Sequence, residues 1–327
     1  MATQKPSYFL VSVSNKENLE LCKKYGLAGF TNSINGLWAY SELQIGDFVS
    51  FLYGARAHNL YEIERKEAID NAETLPPWKS VTFKMSGKTY YFPFRLYLKP
   101  IRKFDEPLVR NEFAYVAENL LLRGGYRKTH FQADQTTLQN VSQMGETFKD
   151  KIEKLDIPNY STFIPKFTRK RNEILNPKIF LFQEIILQAL IRQHLLEMDN
   201  MKKFLELVSI DELTPRELEV LGEKALPEGH IDILIKEAVP IGLSRKIIIE
   251  IKIGKASKKD FEQLKHYINE IGDECLKGVL IAKDFSKKDI DKFKEIIIPI
   301  SYSFNNFDSD AKTFKELKNE LSLKPFI

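Results

Sequence analysis

The chain has little cysteine: two residues in 327, Cys22 and Cys275, far apart in sequence. They form no Cys-x-x-Cys pair, so neither a disulfide framework nor a cysteine-based zinc site is supported. Internal repeats and low-complexity tracts are also absent. With 43% hydrophobic and 29% charged residues, the composition is globular and excludes a disordered or fibrous chain. The length allows two domains, each with its own core.

Long hydrophobic runs are missing too. No stretch approaches the roughly 20 apolar residues of a membrane span, and the start MATQKPSYFLVSV does not resemble a signal peptide. We therefore expect a cytoplasmic protein that has no membrane partner. The formal net charge of +4, from 49 basic and 45 acidic residues, is too small to identify a partner by itself.

Residues 1–138 are predicted to form a strand-rich α+β domain. The patterns of strand-forming residues are those of 8–13, 47–53, 59–64, 80–85 and 89–98. The last two runs flank Ser86-Gly87-Lys88, which indicates a hairpin. A small β-barrel with peripheral helices fits this pattern. Hydrophobic periodicity then fades over 139–175, which predicts an interdomain linker.

Residues 176–327 change pattern and predict an α/β domain. One amphipathic helix is expected over Pro177–Glu197, with Asn176-Pro177 at its start. Further helices are expected at 257–271 and 286–294, between the apolar strand-like stretches 217–225, 229–235, 246–253, 278–282 and 296–300. Apolar strands alternating with helices favour a sheet covered on both faces.

Charged residues interrupt two of these apolar strands. Asp232 lies within Ile-Asp-Ile-Leu-Ile, and Glu250 and Lys252 punctuate the isoleucine-rich run that follows. Alternation along a strand places Glu250 and Lys252 on one face. Because a buried unpaired charge is costly, such groups need partners or a metal. Two carboxylates suffice for Mg²⁺ when water and a substrate phosphate complete the shell, and a lysine beside the ion can assist an attacking water.

These residues resemble the PD-(D/E)XK nuclease superfamily, whose pattern is an acidic residue on one strand and (D/E)-x-K on the next. Gln263 and Tyr267 reproduce the Q-x-x-x-Y of the RecB-like branch, and Glu184 lies where many members carry a further metal-associated glutamate. The sequence around these residues especially resembles NucS-type endonuclease domains, although no proline directly precedes Asp232. The resemblance covers roughly 177–300. It implies that Asp232 and Glu250 bind Mg²⁺ or Mn²⁺ and that Lys252, Gln263, Tyr267 and Glu184 complete a catalytic site.

Simpler interpretations stay open for each element. Glu250 and Lys252 also fit a salt-bridged edge strand, and Gln263 with Tyr267 fits an ordinary i,i+4 helix pair. Glu184 fits a solvated helix position. His266 is expected on a solvated helix face.

The first domain resembles the PUA-like fold group of EVE, ASCH and YTH domains, small barrels that bind modified bases. The resemblance covers roughly 5–135 and is carried by the strand at 8–13, the loop at 29–38, the strand at 46–54 and the run at 92–96. A base reader needs aromatic faces and polar groups at the base edge. Trp38, Phe30 and Tyr53 are the candidate walls and Ser33 and Asn32 the candidate edge readers, although any one ring could instead fill the core.

Basic residues of the first half are candidates for phosphate contacts, which position a nucleic acid without reading its sequence. They include Arg95 and a glycine-containing loop with Arg123, Arg127 and Lys128. The whole pattern predicts a metal-dependent DNA endonuclease that recognises base-modified double-stranded DNA, acting as a homodimer. A mismatch- or structure-specific repair endonuclease, or a non-catalytic protein that binds modified nucleic acid, are the alternatives.

Overall fold

The computed structural model describes residues 5–54, 56–108, 129–149, 151–157, 159–226 and 229–326, with the backbone alone at 224–226. The chain divides into two compact units, Pro6–Pro165 and the residues from Lys166 onward. We call them the amino-terminal unit and the carboxy-terminal unit. Among the described residues, no helix is both long and apolar enough to cross a membrane.

The amino-terminal unit is rich in strands. Its described elements are β1 (Tyr8–Ser12), α1 (Lys16–Tyr25), β2 (Leu27–Phe30), α2 (Ile34–Glu42), β3 (Phe48–Tyr53), β4 (Arg56–Ile69), β5 (Val81–Thr82), β6 (Thr89–Tyr90), β7 (Phe94–Lys103), β8 (His130–Ala133), α3 (Gln135–Ser142), β9 (Glu146–Thr147) and β10 (Thr162–Phe163). Local sequence explains α1, because the Asn15 side chain accepts from the Asn18 amide and Gly26, at φ +56°, ends the helix.

The main sheet of this unit has the order β2-β7-β4-β3-β1-β8, with β10 beside β4 and β9 beside β7. Only β1 and β3 run parallel among these described pairs. The described pairings do not join β2 to β8, so they show no closed barrel, and the expected PUA-like barrel is not established. One core cluster includes Tyr8, Leu10, Leu60 and Val141.

The expected loop at 29–38 is a strand end followed by a helix. Gly29 and Phe30 close β2, and α2 begins after Ser33, whose hydroxyl accepts from the Gly36 amide at 3.2 Å. A Cβ at Gly36 would lie 1.9 Å from the Thr31 carbonyl oxygen. The helix was missed because Asn-Ser-Ile-Asn-Gly reads as a turn, whereas here Ser33 serves as an N-cap and the glycine permits a close backbone approach.

The stretch 139–175, predicted as a linker, carries elements of both units. It contains the end of α3, then β9, β10 and β11 (Lys166–Thr168). In it, β10 pairs with β4 and β11 pairs with strands of the carboxy-terminal unit. Strands of two or three residues are too short to show alternation in sequence, which explains the difference.

The carboxy-terminal unit is mixed α/β, as expected. After β11 its described elements are β12 (Ile179–Leu181), α4 (Glu184–Leu195), α5 (Met198–Leu207), β13 (Leu218–Leu226), β14 (Gly229–Glu237), β15 (Lys246–Ile251), α6 (Lys258–Ile271), β16 (Cys275–Ala282), α7 (Lys287–Phe293), β17 (Ile297–Ser303), β18 (Lys312–Thr313), α8 (Phe314–Glu320) and β19 (Ser322–Pro325).

The large sheet of this unit has the order β13-β14-β15-β16-β17-β19. Strands β15, β16 and β17 are parallel, whereas β14 pairs antiparallel with β15. Helix α6 packs on the sheet, since Phe261 and Leu264 share a core cluster with Ile248 of β15. Side chains of β15 that share the face of Ile248 therefore point toward α6.

The single helix expected over Pro177–Glu197 is wrong in its first part. Residues Ile179–Leu181 pair in parallel with β11, and the helix α4 begins only at Glu184. Phe182 is buried and packs edge-on against Phe307, with ring centroids 5.0 Å apart. Apolar residues at 179 and 182 fit a helical spacing, but tertiary contacts select the strand.

Candidate active site

The predicted site forms where β14 and β15 separate. Their antiparallel pairing extends to Ile233 and Ile249. Beyond that pair, an Asp232 carboxylate oxygen accepts from the Ile251 amide at 2.7 Å, and a Glu184 oxygen accepts from the Ile253 amide at 3.0 Å. Two carboxylates thus satisfy backbone N–H groups that the diverging strand no longer pairs. The same interactions hold both acidic groups beside Lys252.

Glu250 is the most buried charged group of the site, with 2% of its surface exposed. Its Oε1 accepts from Lys252 Nζ at 2.8 Å and from Gln263 Nε2 at 3.4 Å. Its Oε2 is buried and has no hydrogen-bond partner among the described residues. A buried acceptor without a partner carries a desolvation cost of about 1–3 kcal/mol, so this oxygen could gain from a cation.

Lys252 lies between two carboxylates. Its ammonium contacts Glu250 at 2.8 Å and Glu184 at 3.5 Å. Its amide donates to the Ile281 carbonyl at 2.8 Å, which fixes the chain to the neighbouring β16. The contact between the Glu250 and Lys252 side chains places both on one side of the strand, as predicted from alternation.

Helix α6 supplies the supporting residues. A capping box between Ser257 and Asp260 fixes its first turn. One turn apart on this helix, Gln263 Nε2 donates to the Tyr267 hydroxyl at 2.8 Å. Gly229 of β14 lies against that hydroxyl, since a Cβ there would approach it to 2.0 Å. The i,i+4 pair therefore belongs to the site, because Gln263 contacts Glu250 and Tyr267 lies against Gly229.

The electrostatics of the site disfavour a second negative charge. Burial, and then the charge of Glu250, raise the pKa of Asp232 well above its usual range. Burial also raises the pKa of Glu250, against the opposing effect of Lys252. Burial alone would lower the pKa of Lys252, but the charges of Glu250 and Asp232 outweigh it and raise that pKa. Lys252 is therefore held as an ammonium. The positive charge near Asp232 and Glu250 is too small to offset the burial of their two carboxylates.

These residues border an open cleft of about 700 Å³. Its lining residues are Gly229, His230, Asp232, Glu250, Lys252, Lys259, Glu262, Gln263, His266 and Tyr267. His266 is exposed on helix α6, as the sequence predicts, and it also borders the cleft, a position that the sequence did not predict for it or for Lys259. Positions 259, 263 and 266 fall on one face of α6 by helical spacing, a signal that would have found both residues once Gln263 was placed.

The donor set suits a hard divalent cation. Asp232 and Glu250 offer carboxylate oxygens, and the unpartnered Glu250 oxygen lacks a positive partner. Within the described ranges, no group of three or more His, Cys, Asp or Glu side chains is arranged to hold a metal. Mg²⁺ does not require one, because it binds through one or two carboxylates with waters and substrate phosphate. The residues present therefore fit Mg²⁺ and do not fit a structural zinc site.

The structure places the predicted aromatic base-binding residues less favourably. Trp38 is 5% exposed, and its ring lies 4.3 Å from that of His130, which itself contacts Glu42 at 2.9 Å. Phe30 is also buried. Both side chains are buried in the amino-terminal unit and are not open to a base. Tyr53, at the end of β3, is only half-buried.

The two predicted edge readers have structural partners. Asn32 donates through its side chain to the Thr89 carbonyl at 3.4 Å and accepts from the Tyr91 amide at 3.3 Å. The Ser33 hydroxyl caps α2 and lies 2.8 Å from that of Thr31. Their assignment to a base edge stays a prediction.

The predicted basic residues fall into two groups, those that the structure describes and those that it does not. Arg95 is fully buried and donates to the carbonyls of Phe92 and Pro76, at 3.2 and 2.6 Å, so it is a core residue rather than part of a surface track. The predicted phosphate-binding residues Arg123, Arg127 and Lys128 lie outside the described residues. Their role stays a prediction.

No protein-family model matches the chain, and no curated protein matches it. Three solved structures are similar. An EndoMS–dsDNA complex has 21% identity and a TM-score of 0.21 over 30% of this chain and 41% of that one. A repair endonuclease from Pyrococcus abyssi has 17% identity and a TM-score of 0.21 over 29% and 41%.

The DNA modification-dependent restriction endonuclease AspBHI has 13% identity and a TM-score of 0.19, over 95% of this chain and 73% of that one. The chain thus matches about two fifths of the length of the first two structures, at 41% each. At TM-scores near 0.2, none of the three establishes a shared fold with this chain.

Proposed function

We propose that this protein is a metal-dependent DNA endonuclease whose site lies in the carboxy-terminal unit. The observation that carries the proposal is the buried Glu250 carboxylate, with one oxygen unpartnered among the described residues, beside Asp232 and a fixed Lys252 ammonium in an open cleft. Burying these charges in a core strand costs free energy. A site for a divalent cation explains that cost better than the Lys252 salt bridge alone, which leaves the second Glu250 oxygen without a partner among the described residues.

Asp232 and Glu250 would hold Mg²⁺, with Mn²⁺ as a substitute. When bound, the ion supplies Lewis acidity toward a phosphate and a more acidic water. Lys252, held between Glu250 and Glu184, keeps a fixed positive charge where negative charge develops on the phosphate. Gln263, through its donation to Glu250, keeps that carboxylate oriented.

The cleft also offers groups for the nucleic-acid backbone. Lys259 and the imidazoles of His230 and His266 line it outside the carboxylates. Such donors neutralise or hydrogen-bond phosphates and fix the position of the strand without reading bases. They support a polyanionic substrate rather than a small neutral one.

The test is a cleavage assay with Asp232→Ala and Lys252→Ala. Supercoiled plasmid and labelled duplex are incubated with wild-type protein and each variant in Mg²⁺ or Mn²⁺, and binding is measured separately in EDTA. We expect both variants to lose cleavage while DNA binding persists. Glu270→Ala, an exposed position on the same helix α6, is the matched control and should cleave normally. Cleavage at the wild-type rate by either site variant contradicts the proposal.

Recognition of modified bases is the finer part of the proposal. It rests on the sequence resemblance of the amino-terminal unit and on the partial exposure of Tyr53. Matched duplexes with N6-methyladenine, modified cytosine, a mismatch or no change separate the outcomes. Preference for a modified matched duplex supports modification-dependent cleavage, and preference for the unmodified mismatch supports a repair endonuclease. Binding to modified DNA without cleavage in either metal supports a non-catalytic reader.

We also propose that the protein acts as a homodimer on DNA. Each chain offers one candidate site among its described residues, whereas severing a duplex requires cleavage of both strands. Light scattering of the protein with and without duplex should show two chains per DNA. A single chain per duplex that still makes double-strand breaks would contradict this.

A further inference from the structure

A small β-hairpin stands out in the amino-terminal unit. Strands β5 and β6 pair through Val81 with Tyr90 and Thr82 with Thr89. The two threonine hydroxyls lie 2.8 Å apart. Gly87, at φ +64°, permits the turn, in which the Phe83 amide donates to the Lys88 carbonyl at 3.0 Å. Every residue from 81 to 88 is exposed.

The exposed tip is apolar. Val81 is 50%, Phe83 56% and Met85 103% exposed. The Phe83 ring packs edge-on against Tyr90, with centroids 5.4 Å apart, so it is oriented while most of it faces outward. Single exposed apolar residues are ordinary, but three on one short hairpin that end in a fully exposed methionine indicate a contact surface.

Positive charge surrounds this tip. Lys79, Lys84 and Lys88 are exposed, and no carboxylate pairs with them within the described part of the chain. Within residues 74–94 these three lysines are the only charged residues. The hairpin therefore presents uncompensated positive charge beside apolar side chains, which complements a polyanion with stacked apolar groups.

The base of the hairpin is fixed to the unit. Asn32 bonds to Thr89 and Tyr91 through its side chain, and its amide donates to the Tyr91 carbonyl at 3.0 Å. Trp78, just before the hairpin, is buried, with the Arg95 guanidinium 5.5 Å from its ring centre. A fixed base lowers the ordering cost when the tip binds.

We propose that this hairpin binds double-stranded DNA, with its three lysines on phosphates and Met85 and Phe83 as an apolar wedge at a base step. The choice of DNA rests on the proposed function, since the same chain carries the candidate phosphodiester site. Lysines release counterions from the phosphates. Apolar side chains of this type enter the minor groove and partly unstack a base step in other DNA-binding proteins.

The charge component is tested by the salt dependence of binding in EDTA. A fluorescein-labelled duplex is titrated with full-length protein at several KCl concentrations, comparing wild type with K79S/K84S/K88S. Each lost phosphate contact lowers the slope of log K against log salt by about 0.9, so three contacts reduce the loss of affinity between 50 and 200 mM salt by about 40-fold. The control K16S/K151S/K154S removes three exposed lysines elsewhere in the unit. Equal slopes for the two triple variants overturn the proposal.

The apolar component needs its own readout. Met85→Ser and Phe83→Ser should leave the salt slope unchanged but weaken binding several-fold and abolish the fluorescence rise of 2-aminopurine placed in the duplex. Ile45→Ser, at a residue 64% exposed in the same unit, is the matched control. A 2-aminopurine signal that persists in both hairpin variants excludes a wedge and overturns that part of the proposal.

Two further outcomes separate this inference from the proposed function. If the hairpin variants lose binding in EDTA while wild-type protein never cleaves with Mg²⁺ or Mn²⁺, the hairpin proposal stands and the endonuclease proposal falls. If wild type cleaves but hairpin variants bind DNA as their controls do, only the hairpin proposal falls. Sedimentation with phosphatidylserine/phosphatidylcholine vesicles tests the rival polyanion, and loss of vesicle binding with unchanged DNA binding overturns DNA as the partner.

Discussion

Replacing Glu250 by glutamine tests the metal site without using catalysis. Glutamine keeps the size and the polar atoms of glutamate but removes the charge that a cation needs. Lys252 loses the negative charge of its 2.8 Å partner and keeps the Glu184 carboxylate at 3.5 Å. Because the unpartnered oxygen already carries a desolvation cost in Glu250, we expect the metal-free variant to stay within about 1–3 kcal/mol of wild type.

The expected difference appears when metal is added. A ligand present at 100 times its Kd stabilises the folded state by about 2.7 kcal/mol. For a unit of this size, 1 kcal/mol corresponds to roughly 2–4 °C in melting temperature, so wild type should gain about 5–10 °C with saturating Mg²⁺. Burial raises the pKa of Asp232 and of Glu250, and neighbouring carboxylates raise both further, so a cation that offsets this negative charge adds to the gain.

The assay is thermal unfolding followed by fluorescence and circular dichroism, with Mg²⁺, with Mn²⁺, and with KCl at matched ionic strength. Glu250→Gln should show less than about a third of the wild-type metal shift, whereas Glu270→Gln, at an exposed position on helix α6, should keep it in full. An equal metal-dependent shift in wild type and Glu250→Gln would refute the assignment of Glu250 as a ligand. No shift in wild type at any metal concentration would refute the site.

The remaining predictions concern neighbouring contacts and one buried amine. Gln263→Ala removes a donor to Glu250, so cleavage should fall roughly 10- to 100-fold with unchanged DNA binding; an unchanged rate in a kinetic assay contradicts this. Gly229→Ala places a Cβ 2.0 Å from the Tyr267 hydroxyl and should cost about 1–3 kcal/mol in urea unfolding; a neutral effect would show that Tyr267 moves freely. Burial lowers the pKa of Lys66 to about 7, whereas the pKa of a lysine in the unfolded chain is about 10.4. Between these two pH values the unfolded state binds more protons than the folded state. The free energy of unfolding therefore rises with pH there, by up to about 1.4 kcal/mol per pH unit. Lys66→Met should lack this rise between pH 7 and 9.5, and parallel profiles for the two proteins would contradict the burial of the amine.

The central strands of the carboxy-terminal unit could be predicted because their isoleucine runs are distinctive. Asp232 interrupts one run and Glu250 the next, and adjacent strands bring such interruptions together whenever the two runs pair. The sequence does not predict where strands β14 and β15 separate. Asp232 accepts from the Ile251 amide, a contact that depends on where the pairing stops. The functional roles of these residues stay predictions.

In the amino-terminal unit the sequence predicts most of the strands. It does not predict which of the aromatic rings are buried. Trp38 packs on His130, whose position far along the chain is invisible to any local pattern. Asn32, which is predicted to lie at a base edge, also fixes the base of the β5–β6 hairpin. Exposure of a ring depends on tertiary contacts, so aromatic content alone did not locate a binding surface.

The charges of the two proposed surfaces impose an order on binding. Around Lys252, the carboxylates of Asp232, Glu250 and Glu184 outnumber its ammonium, which leaves negative charge in excess near the place a phosphate must occupy. A phosphate is repelled there until a divalent cation cancels that excess. DNA affinity measured without metal should therefore come from groups away from these carboxylates, such as Lys259 elsewhere in the cleft and the lysines of the β5–β6 hairpin. Metal should then tighten DNA binding in wild type and do so less in Glu250→Gln, because the coupling passes through the carboxylate that the variant removes.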